Sequence, residues 1–195
     1  MKLGFSVILA SASPRRKELL AGMGIPFEVI PAETEEIPAG SGLPAEEIVR
    51  LNAVRKAGAV AGSHPGSLVI GSDTVVECGG RIFGKPASPE EAVSMLKTLS
   101  GRSHRVMTGV ALQLKQRDLD RSFTEISHVV FKKLSDETIR EYMRLVNVMD
   151  KAGAYAIQEH SELILARLDG SLSNVIGFPV ERLTAELEQL FPGVH

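Results

Sequence analysis

The residues with the clearest chemical potential lie in the segment ILASASPRRKELL, where an apolar run gives way to serines and arginines. Pro14 suits the first position of a helix, and Ser13 before it suits the cap. Arg15 and Arg16 then fall in the first turn, where acidic side chains are normally favoured over basic ones. Backbone N–H groups, the helix dipole and the guanidinium groups would converge there on phosphate oxygens. A capped surface helix with solvated bases fits the same residues, and spacing alone leaves both interpretations open.

A second candidate is Asp73, which lies in the β-branched run VIGSDTVVE. An unpaired carboxylate is costly to bury, so an acid in such a strand needs a cation, a metal ion or a position at the strand's end. A functional carboxylate and a hydrogen-bonded structural aspartate fit this pattern equally well.

Two lysines are further candidates for contact with an anion. Lys56 follows Asn52 by four residues and Val49 by seven, so the three share one face of a predicted helix. A lysine on that face either extends along apolar surface or reaches into a cleft, and the spacing favours the first. Lys85, in the loop GKP, has a restrained backbone but gives little indication of its role by itself.

Other polar residues give weaker signals. The acidic loop with Glu33, Glu35 and Glu36 contains candidate ligands for a divalent cation, although solvated acids are commoner. Gln158, which ends the run KAGAYAIQ, suits a contact with a base edge or the end of a strand. The sequence has no GxxxxGK[ST] loop, no GxGxxG turn after a strand and no metal-ligand spacing among its histidines. Phosphate recognition would therefore need another design.

Alternating strands and helices must position these residues. Apolar runs between turn residues predict strands at 5–10, 27–31, 68–77, 81–83, 104–114, 123–132 and 163–168. Capping and helix-ending residues predict helices at 13–23, 45–61, 89–99, 135–146 and 179–190. We therefore expect an α/β fold in which helices flank a mixed, twisted sheet.

Composition excludes several classes of protein. The 195 residues carry 22 Lys and Arg against 24 Asp and Glu, a net charge of −2, which argues against a nucleic-acid partner. The length indicates a single domain over residues 1–195. The single cysteine, Cys78, can form no internal disulfide, so we expect a cytoplasmic protein. The start MKLGFSVILASA imitates a signal peptide but is shorter than the usual ~15–30 residues, and no run approaches the ~18 apolar residues of a membrane span.

The chain resembles the Maf proteins through motifs that occur in the family's order from residue 8 to about residue 183: ASASPRRKELL, RLNAVRKA, GSDTVV, GKP, SGRSHRVMTGVAL, DKAGAYAIQ and GSLSNVIGFPVERL. The resemblance implies a Maf/Ham1 (ITPase-like) fold with two lobes around a central cleft. It also implies a nucleoside triphosphate pyrophosphatase that uses a divalent metal, Mg²⁺, Mn²⁺ or Co²⁺, and serves nucleotide-pool sanitation, with a link to septum formation and cell division arrest.

The resemblance implies a role for each candidate. Asp73 matches the family's catalytic acid, which activates water or binds the metal, and Glu36 matches an acidic position associated with the metal. The phosphate-contacting positions correspond to Ser11, Arg16, Lys56 and Lys85. The positions that distinguish substrate branches correspond to Arg15, Thr74 and Gln158. The branch similar to this chain acts on dTTP and UTP, and Gln158 with Thr74 would offer the donor and acceptor that a uracil edge requires.

Two alternatives stay open. A sister branch hydrolyses 7-methyl-GTP and tends to have an aromatic residue at the position of Arg15, where it would stack on a cationic purine. A non-catalytic nucleotide-sensing regulator of division would not need the set of Asp73, Lys56 and Lys85. Residues 147–149 and 159–160 depart from the family's frequent pattern beside Gln158 and leave the phosphate-contacting positions unchanged. Because family members are often dimers, a homodimer is also expected.

Overall fold

Seven strands form one mixed sheet in the computed structural model, which describes residues 4–193. Residues 1–3, which begin the signal-peptide-like start, and residues 194–195 lie outside the described residues. The strands are β1 (Val7–Leu9), β2 (Glu28–Val29), β3 (Leu68–Cys78), β4 (Arg81–Phe83), β5 (Ser103–Leu114), β6 (Leu119–Phe131) and β7 (Leu165–Asp169). The helices are α1 (Pro14–Gly22), α2 (Ala45–Ala61), α3 (Pro89–Leu99), α4 (Asp136–Leu145), α5 (Ser161–Ile164), α6 (Leu172–Ile176) and α7 (Val180–Leu190).

The order of the sheet is β2-β1-β3-β5-β6-β7, and β4 pairs with the far end of β3. Strand β1 is parallel to both of its neighbours, whereas β3, β5, β6 and β7 pair antiparallel. The predicted mixed sheet with flanking helices is therefore confirmed. Among the described residues, no helix is long and apolar enough to cross a membrane.

The two faces of β3 meet different helices because successive strand residues point to opposite sides of a sheet. Val69, Ala53 and Ala57 belong to one buried cluster, which packs α2 on the first face. Ile70 on the second face packs with Phe178 and with residues of α1 and α7. Residues 73 and 74 therefore face opposite sides of the sheet.

Most element boundaries follow the prediction, and the differences fall at turns and short helices. Strand β6 begins at Leu119 rather than at the predicted residue 123, because Leu114 pairs with Leu119 across a tight turn with Asp118 in the left-handed region. The predicted strand at 163–168 starts too early: Ser161–Ile164 forms α5 and the strand follows it. The short helix α6 was not predicted, although Ser171 caps it and Gly177 ends it.

Candidate active site

A cleft of about 760 Å³ opens along one edge of β3. On β3, strand β1 pairs only with Leu68–Ile70, and β4 pairs only with the residues from Val76 onward. The stretch of β3 between these two partners has a free edge, and Asp73, Thr74 and Val75 line the cleft there. A strand edge flanked by two short neighbours can thus expose side chains from both of its faces to one cavity.

Asp73 lies at the floor of this cleft with only 7% of its surface exposed. Its Oδ1 is 2.8 Å from Nζ of Lys56, and its Oδ2 accepts a hydrogen bond of 3.0 Å from Nδ2 of Asn52. The buried carboxylate is therefore paired with a cation, as its cost of burial requires. A carboxylate offers about four lone-pair sites, so further sites remain for water or a metal ion.

Lys56 joins two acids from different parts of the chain. Its Nζ is 2.6 Å from Oε1 of Glu36 as well as 2.8 Å from Asp73. The prediction that the Lys56 side chain extends along apolar surface was wrong. Spacing within α2 could not show that Asp73 lies on the strand beneath the helix. Glu36 stays 56% exposed in its side chain yet is the residue of the acidic loop that contacts this pair.

Two glycines let α2 come close enough for these contacts. A Cβ on Gly71 would lie within 3.0 Å of the carbonyl oxygen of Ala53, and one on Gly109 would lie equally close to that of Val49. Gly109 is also the residue that pairs directly with Asp73 across β3 and β5. The missing side chains allow the backbone of the helix to rest on the sheet beside the carboxylate, which places one turn of α2 above it.

The start of α1 forms the second cluster. Arg16 donates from Nη1 to Oγ of Ser11 (3.2 Å), from Nη2 to Oγ1 of Thr74 (3.1 Å) and from Nε to the carbonyl of Gly177 (3.0 Å). Ser13 caps the helix as predicted, accepting from the backbone N–H of Arg16. Burial lowers the pKa of the Arg16 guanidinium, while Asp73 and Glu36 act to raise it, and arginine remains charged in proteins.

The hydroxyl of Thr74 belongs to this cluster rather than to a base-reading pair with Gln158. Thr108 donates to the carbonyl of Asn174 (3.1 Å), so the 3.0 Å contact between the two threonines has Thr74 as its donor. Thr74 in turn accepts from Arg16, which leaves it no second proton to offer to a ligand. The structure thus places Thr74 as support for the Arg16 side chain.

Arg15 points to another wall of the cleft. Its Nη1 is 3.0 Å from Oδ2 of Asp150, and its Nη2 donates to the carbonyl oxygen of the same residue at 3.0 Å. Asp150 also accepts from Lys151, whose buried ammonium is 3.5 Å from Glu159. Burial acts to raise the pKa of Asp150, but hydrogen bonds from Lys151 and Arg15 outweigh it and leave that pKa lowered. Sequence reasoning missed this ion chain because its ends lie far apart in the chain.

Lys85 and Gln158 are exposed residues that also line the cleft. The loop of Lys85 is tied to the opposite segment by a hydrogen bond from the N–H of Gly153 to the carbonyl of Gly84 (3.0 Å). Within residues 4–193, Lys85 has no ion-pair partner, so its ammonium is free to meet an anion. Every residue to which the family resemblance gave a role therefore lines one cavity, whereas Glu33 and Glu35, the other acids of the loop, are not among its lining residues.

Buried aromatic residues form the wall behind Gln158. Tyr142 donates to the carbonyl of Ala156 and accepts from its N–H, both at 3.0 Å, and burial raises the pKa of this phenol to about 12. The hydroxyl of Tyr155 is 3.0 Å from Nε2 of His104, and burial raises the pKa of Tyr155 as well. Both phenols stay protonated and hold the backbone of 154–157 in place.

The stability of this wall is expected to depend on pH through His104. Burial lowers the pKa of His104 to about 4, whereas in the unfolded chain the imidazole titrates near its ordinary value of 6.5. Between these two pH values the unfolded state binds a proton that the folded state does not bind. The free energy of unfolding is therefore highest above pH 6.5 and falls as the pH drops toward about 4. The loss reaches about 3 kcal/mol at the lower end. Urea unfolding at several pH values should show a flatter acid limb for His104→Gln than for the wild type, and equal slopes would contradict this origin.

The arrangement has the charges needed to bind a polyanion. Cations from separate segments face the cavity, namely Arg15, Arg16, Lys56, Lys85 and Lys151. Opposite them, Glu36 and Asp73 converge on the single ammonium of Lys56. Cations gathered in this way favour phosphate oxygens, and a carboxylate among them can orient or deprotonate water.

Glu36 and Asp73 also fit a divalent metal. Among residues 4–193, no group of three or more His, Cys, Asp or Glu side chains could hold a metal ion alone. Mg²⁺, however, is usually bound by one or two carboxylates together with substrate phosphates and water. Two carboxylates that already share one cation at the edge of an open cleft match that donor set.

The fold and the cleft together define an α/β protein whose site has the charges that binding of a polyphosphate requires. The chain belongs to the Maf family, since the family model described as "Maf-like protein" matches residues 6–190. The resemblance seen in the motifs is thereby confirmed.

Curated relatives cover nearly the whole chain. A dTTP/UTP pyrophosphatase of Akkermansia muciniphila is 50% identical over 176 residues, which are 89% of this chain and 90% of that protein. A dTTP/UTP pyrophosphatase of Geobacter metallireducens is 46% identical over 94% of this chain and 95% of that protein. Among solved structures, the chain is similar to a nucleoside-triphosphatase / dITP/XTP pyrophosphatase of Mycobacterium abscessus, with a TM-score of 0.44 and 15% identity over 96% of this chain and 99% of that one.

Proposed function

We propose that this protein hydrolyses dTTP and UTP to the nucleoside monophosphate and pyrophosphate. The observation that carries the proposal is the buried carboxylate of Asp73, paired with Lys56 at 2.8 Å on the floor of a cleft lined with cations. The names of the curated relatives, at 42–50% identity over most of the chain, support the choice of nucleotides.

In the proposed reaction, water attacks the α-phosphorus of the triphosphate. The bond from that phosphorus to the bridging oxygen breaks, and pyrophosphate leaves with the electron pair. Asp73 orients the water and accepts its proton through a lone pair that Lys56 and Asn52 do not use. Arg16 and Lys85 bind phosphate oxygens, where charge accumulates on the leaving group.

Some groups in the cleft serve binding and support. Ser11 and Thr74 hold the guanidinium of Arg16 at 3.2 and 3.1 Å, which presents its remaining N–H groups in a fixed orientation. Glu36 and Asp73 would hold Mg²⁺ or Mn²⁺, which when bound supplies positive charge that neutralises phosphate oxygens. Lys56, which contacts both acids, offsets the repulsion between the two carboxylates and keeps them together.

The base would lie beside Gln158 and Arg15. Gln158 carries both a donor and an acceptor on its side chain, which is what the edge of uracil or thymine requires. Because Thr74 is engaged with Arg16, we place the reading of the base on Gln158 and neighbouring backbone groups of the 154–157 wall. This part of the site would set the ranking of dTTP and UTP.

A nucleotide panel with labelled water tests the reaction class. The purified protein is incubated with dTTP, UTP, 7-methyl-GTP and dATP in the presence of Mg²⁺, Mn²⁺ or Co²⁺, and pyrophosphate and orthophosphate are measured separately. We expect pyrophosphate from dTTP and UTP, with ¹⁸O from water in the monophosphate. Orthophosphate as the first product would overturn attack at the α-phosphorus, and preference for 7-methyl-GTP would assign the sister activity instead.

Releasing Arg15 from Asp150 is expected to weaken substrate binding moderately. Asp150→Asn keeps the carbonyl that accepts from Nη2 of Arg15 but removes the carboxylate 3.0 Å from Nη1. The pair is partly exposed, and such pairs are worth about 0.2–1 kcal/mol, so KM for dTTP should rise about one and a half- to fivefold while kcat changes little. Glu137→Gln removes a comparable exposed ion pair on α4, to Arg140, and serves as the control. A loss confined to kcat would contradict a role in binding.

We also propose that the reaction takes place in the cytoplasm, since a chain with a single cysteine, Cys78, uses no internal disulfide and suits a reducing compartment. A homodimer, a single two-lobed domain and a link to cell division stay predictions.

A further inference from the structure

Asn52 makes hydrogen bonds that the sequence motifs did not predict. Its Nδ2 donates to Oδ2 of Asp73 at 3.0 Å and to the carbonyl of Ile37 at 3.2 Å, and its Oδ1 accepts from the N–H of Ile37 at 2.7 Å. Only 2% of the residue is exposed. Both amide protons and the carbonyl oxygen are therefore used; the bond to Asp73 is buried, and the two bonds to Ile37 are partly buried.

These bonds connect the two acidic residues of the site. Ile37 directly follows Glu36, so the paired N–H and C=O contacts fix the backbone next to that carboxylate. Lys56, one turn further along α2, contacts the carboxylates of Glu36 and Asp73 themselves. One face of α2 thus positions both acids in two ways. Lys56 attracts their carboxylates by charge, and Asn52 directs hydrogen bonds to Asp73 and to the backbone beside Glu36.

Within residues 4–193, the other support of the loop that carries Glu36 lies mainly at its start, where Ile30 donates to the carbonyl of Leu9 (3.1 Å) and Ile30 and Ala32 pack on a buried cluster. Residues 30–38 form neither helix nor strand. Arg55 makes a 3.5 Å contact with the carbonyl oxygen of Glu35, close to the bonds between Asn52 and Ile37. Because Lys56 is a flexible side chain, it attracts Glu36 without fixing the loop's position. A planar amide with two directed bonds to the backbone of Ile37 does fix it.

We propose that Asn52 is a positioning residue that sets the separation and orientation of Glu36 and Asp73, and so determines how tightly the site holds its divalent cation. The inference rests on the proposed function for its catalytic part. Outer partners of ligating side chains typically change metal affinity or activity by about 10–100-fold when removed. Within residues 4–193, the side-chain hydrogen bonds of Asn52 go only to Asp73 and to the backbone of Ile37, the residue after Glu36.

The test compares Asn52→Leu with the wild type in hydrogen exchange and in turnover. Leucine has a similar size but leaves Ile37 and Asp73 without their partner. We expect the amide of Ile37 to lose its exchange protection and the Mn²⁺ concentration for half-maximal dTTP hydrolysis to rise about tenfold or more. Gln113→Met is the matched control: it removes a buried amide that bonds Asp120, far along β5 from the site.

A second variant covers the case in which Asn52→Leu does not fold. Asn52→Asp keeps the size and the acceptor for the Ile37 N–H, but it replaces the amide donor to Asp73 with a second acid, so the two adjacent carboxyl groups share one proton and Asp73 becomes a poorer proton acceptor. It should keep the Ile37 amide protected and still lose turnover about tenfold or more.

The outcomes separate this inference from the proposed function. If the wild type hydrolyses dTTP and both variants remain within twofold of it in turnover and Mn²⁺ dependence, the inference fails and the function stands. If the wild type hydrolyses no triphosphate, the function fails, and exchange at Ile37 decides whether Asn52 holds the Glu36 loop. Protection that is unchanged in Asn52→Leu overturns the inference in either case.

Discussion

Asp73→Asn is expected to lower turnover of dTTP by about a thousandfold or more, because it removes the side chain that we propose as proton acceptor and metal ligand while keeping its shape. In the protein, Asp73 is the buried acid of the cleft and the partner of Lys56 and Asn52. An amide in its place can still accept from Asn52, but it cannot take a proton from water. The measurement is pyrophosphate release at saturating dTTP and Mn²⁺.

The loss should be chemical rather than structural. Lys56 keeps Glu36 at 2.6 Å when the charge of Asp73 is removed, so its ammonium is not left without a partner. We therefore expect the melting temperature to stay within a few degrees of the wild type. Asp120→Asn, at an exposed acid on β6 that bonds Gln113, is the matched control and should keep full activity. Turnover in Asp73→Asn within tenfold of the wild type would exclude Asp73 as the proton acceptor.

Local parts of the site could be predicted from the sequence because short-range rules determine them. The cap at Ser13, the proline at the first helical position and the bases in the first turn occur in the structure as the segment indicates. The β-branched run around Asp73 forms a strand for the same reason. The resemblance to the Maf family then brought the separate segments together, and the structure places them around one cleft.

Contacts between distant segments could not be predicted. Arg15 and Asp150 are 135 residues apart, and nothing in either motif specifies the other. The role of Asn52 depends on Ile37, an apolar residue that contributes only its backbone. Thr74 was paired with Gln158 in the base-reading hypothesis, but alternation along β3 directs it to the opposite face from Asp73 and into contact with Arg16.

The free edge of β3 explains how a chain with a net charge of −2 concentrates cations at one place. Asp73 extends from one face toward α2 and its Lys56, and Thr74 extends from the other toward α1 and its Arg16. A strand paired along its whole length would keep these two faces apart. Because β1 is short, both faces meet the same cleft, and Asp73 and Arg16, to which we assign proton transfer and phosphate binding, come from opposite sides of one sheet.

Gly109→Ala is expected to destabilise the protein by about 3 kcal/mol and to reduce activity, since its methyl group would collide with backbone rather than with a movable side chain. The new Cβ would lie within 3.0 Å of the carbonyl oxygen and carbon of Val49 and of the nitrogen of Arg50, so α2 would have to move away from the sheet. For a protein of this size, the melting temperature should fall by about 6–12 °C.

Activity in the folded fraction of Gly109→Ala separates packing from positioning. Gly109 pairs with Asp73, so a displaced α2 would carry Asn52 and Lys56 away from the carboxylate that they orient. Gly58→Ala is the matched control on the same helix, because its Cβ would meet only a side-chain oxygen of Gln113 at 3.6 Å. That substitution should be neutral or should stabilise the helix by up to about 1 kcal/mol. If Gly109→Ala melted with the wild type and kept its turnover, the close approach of α2 to β5 would not be what places Lys56 beside Asp73.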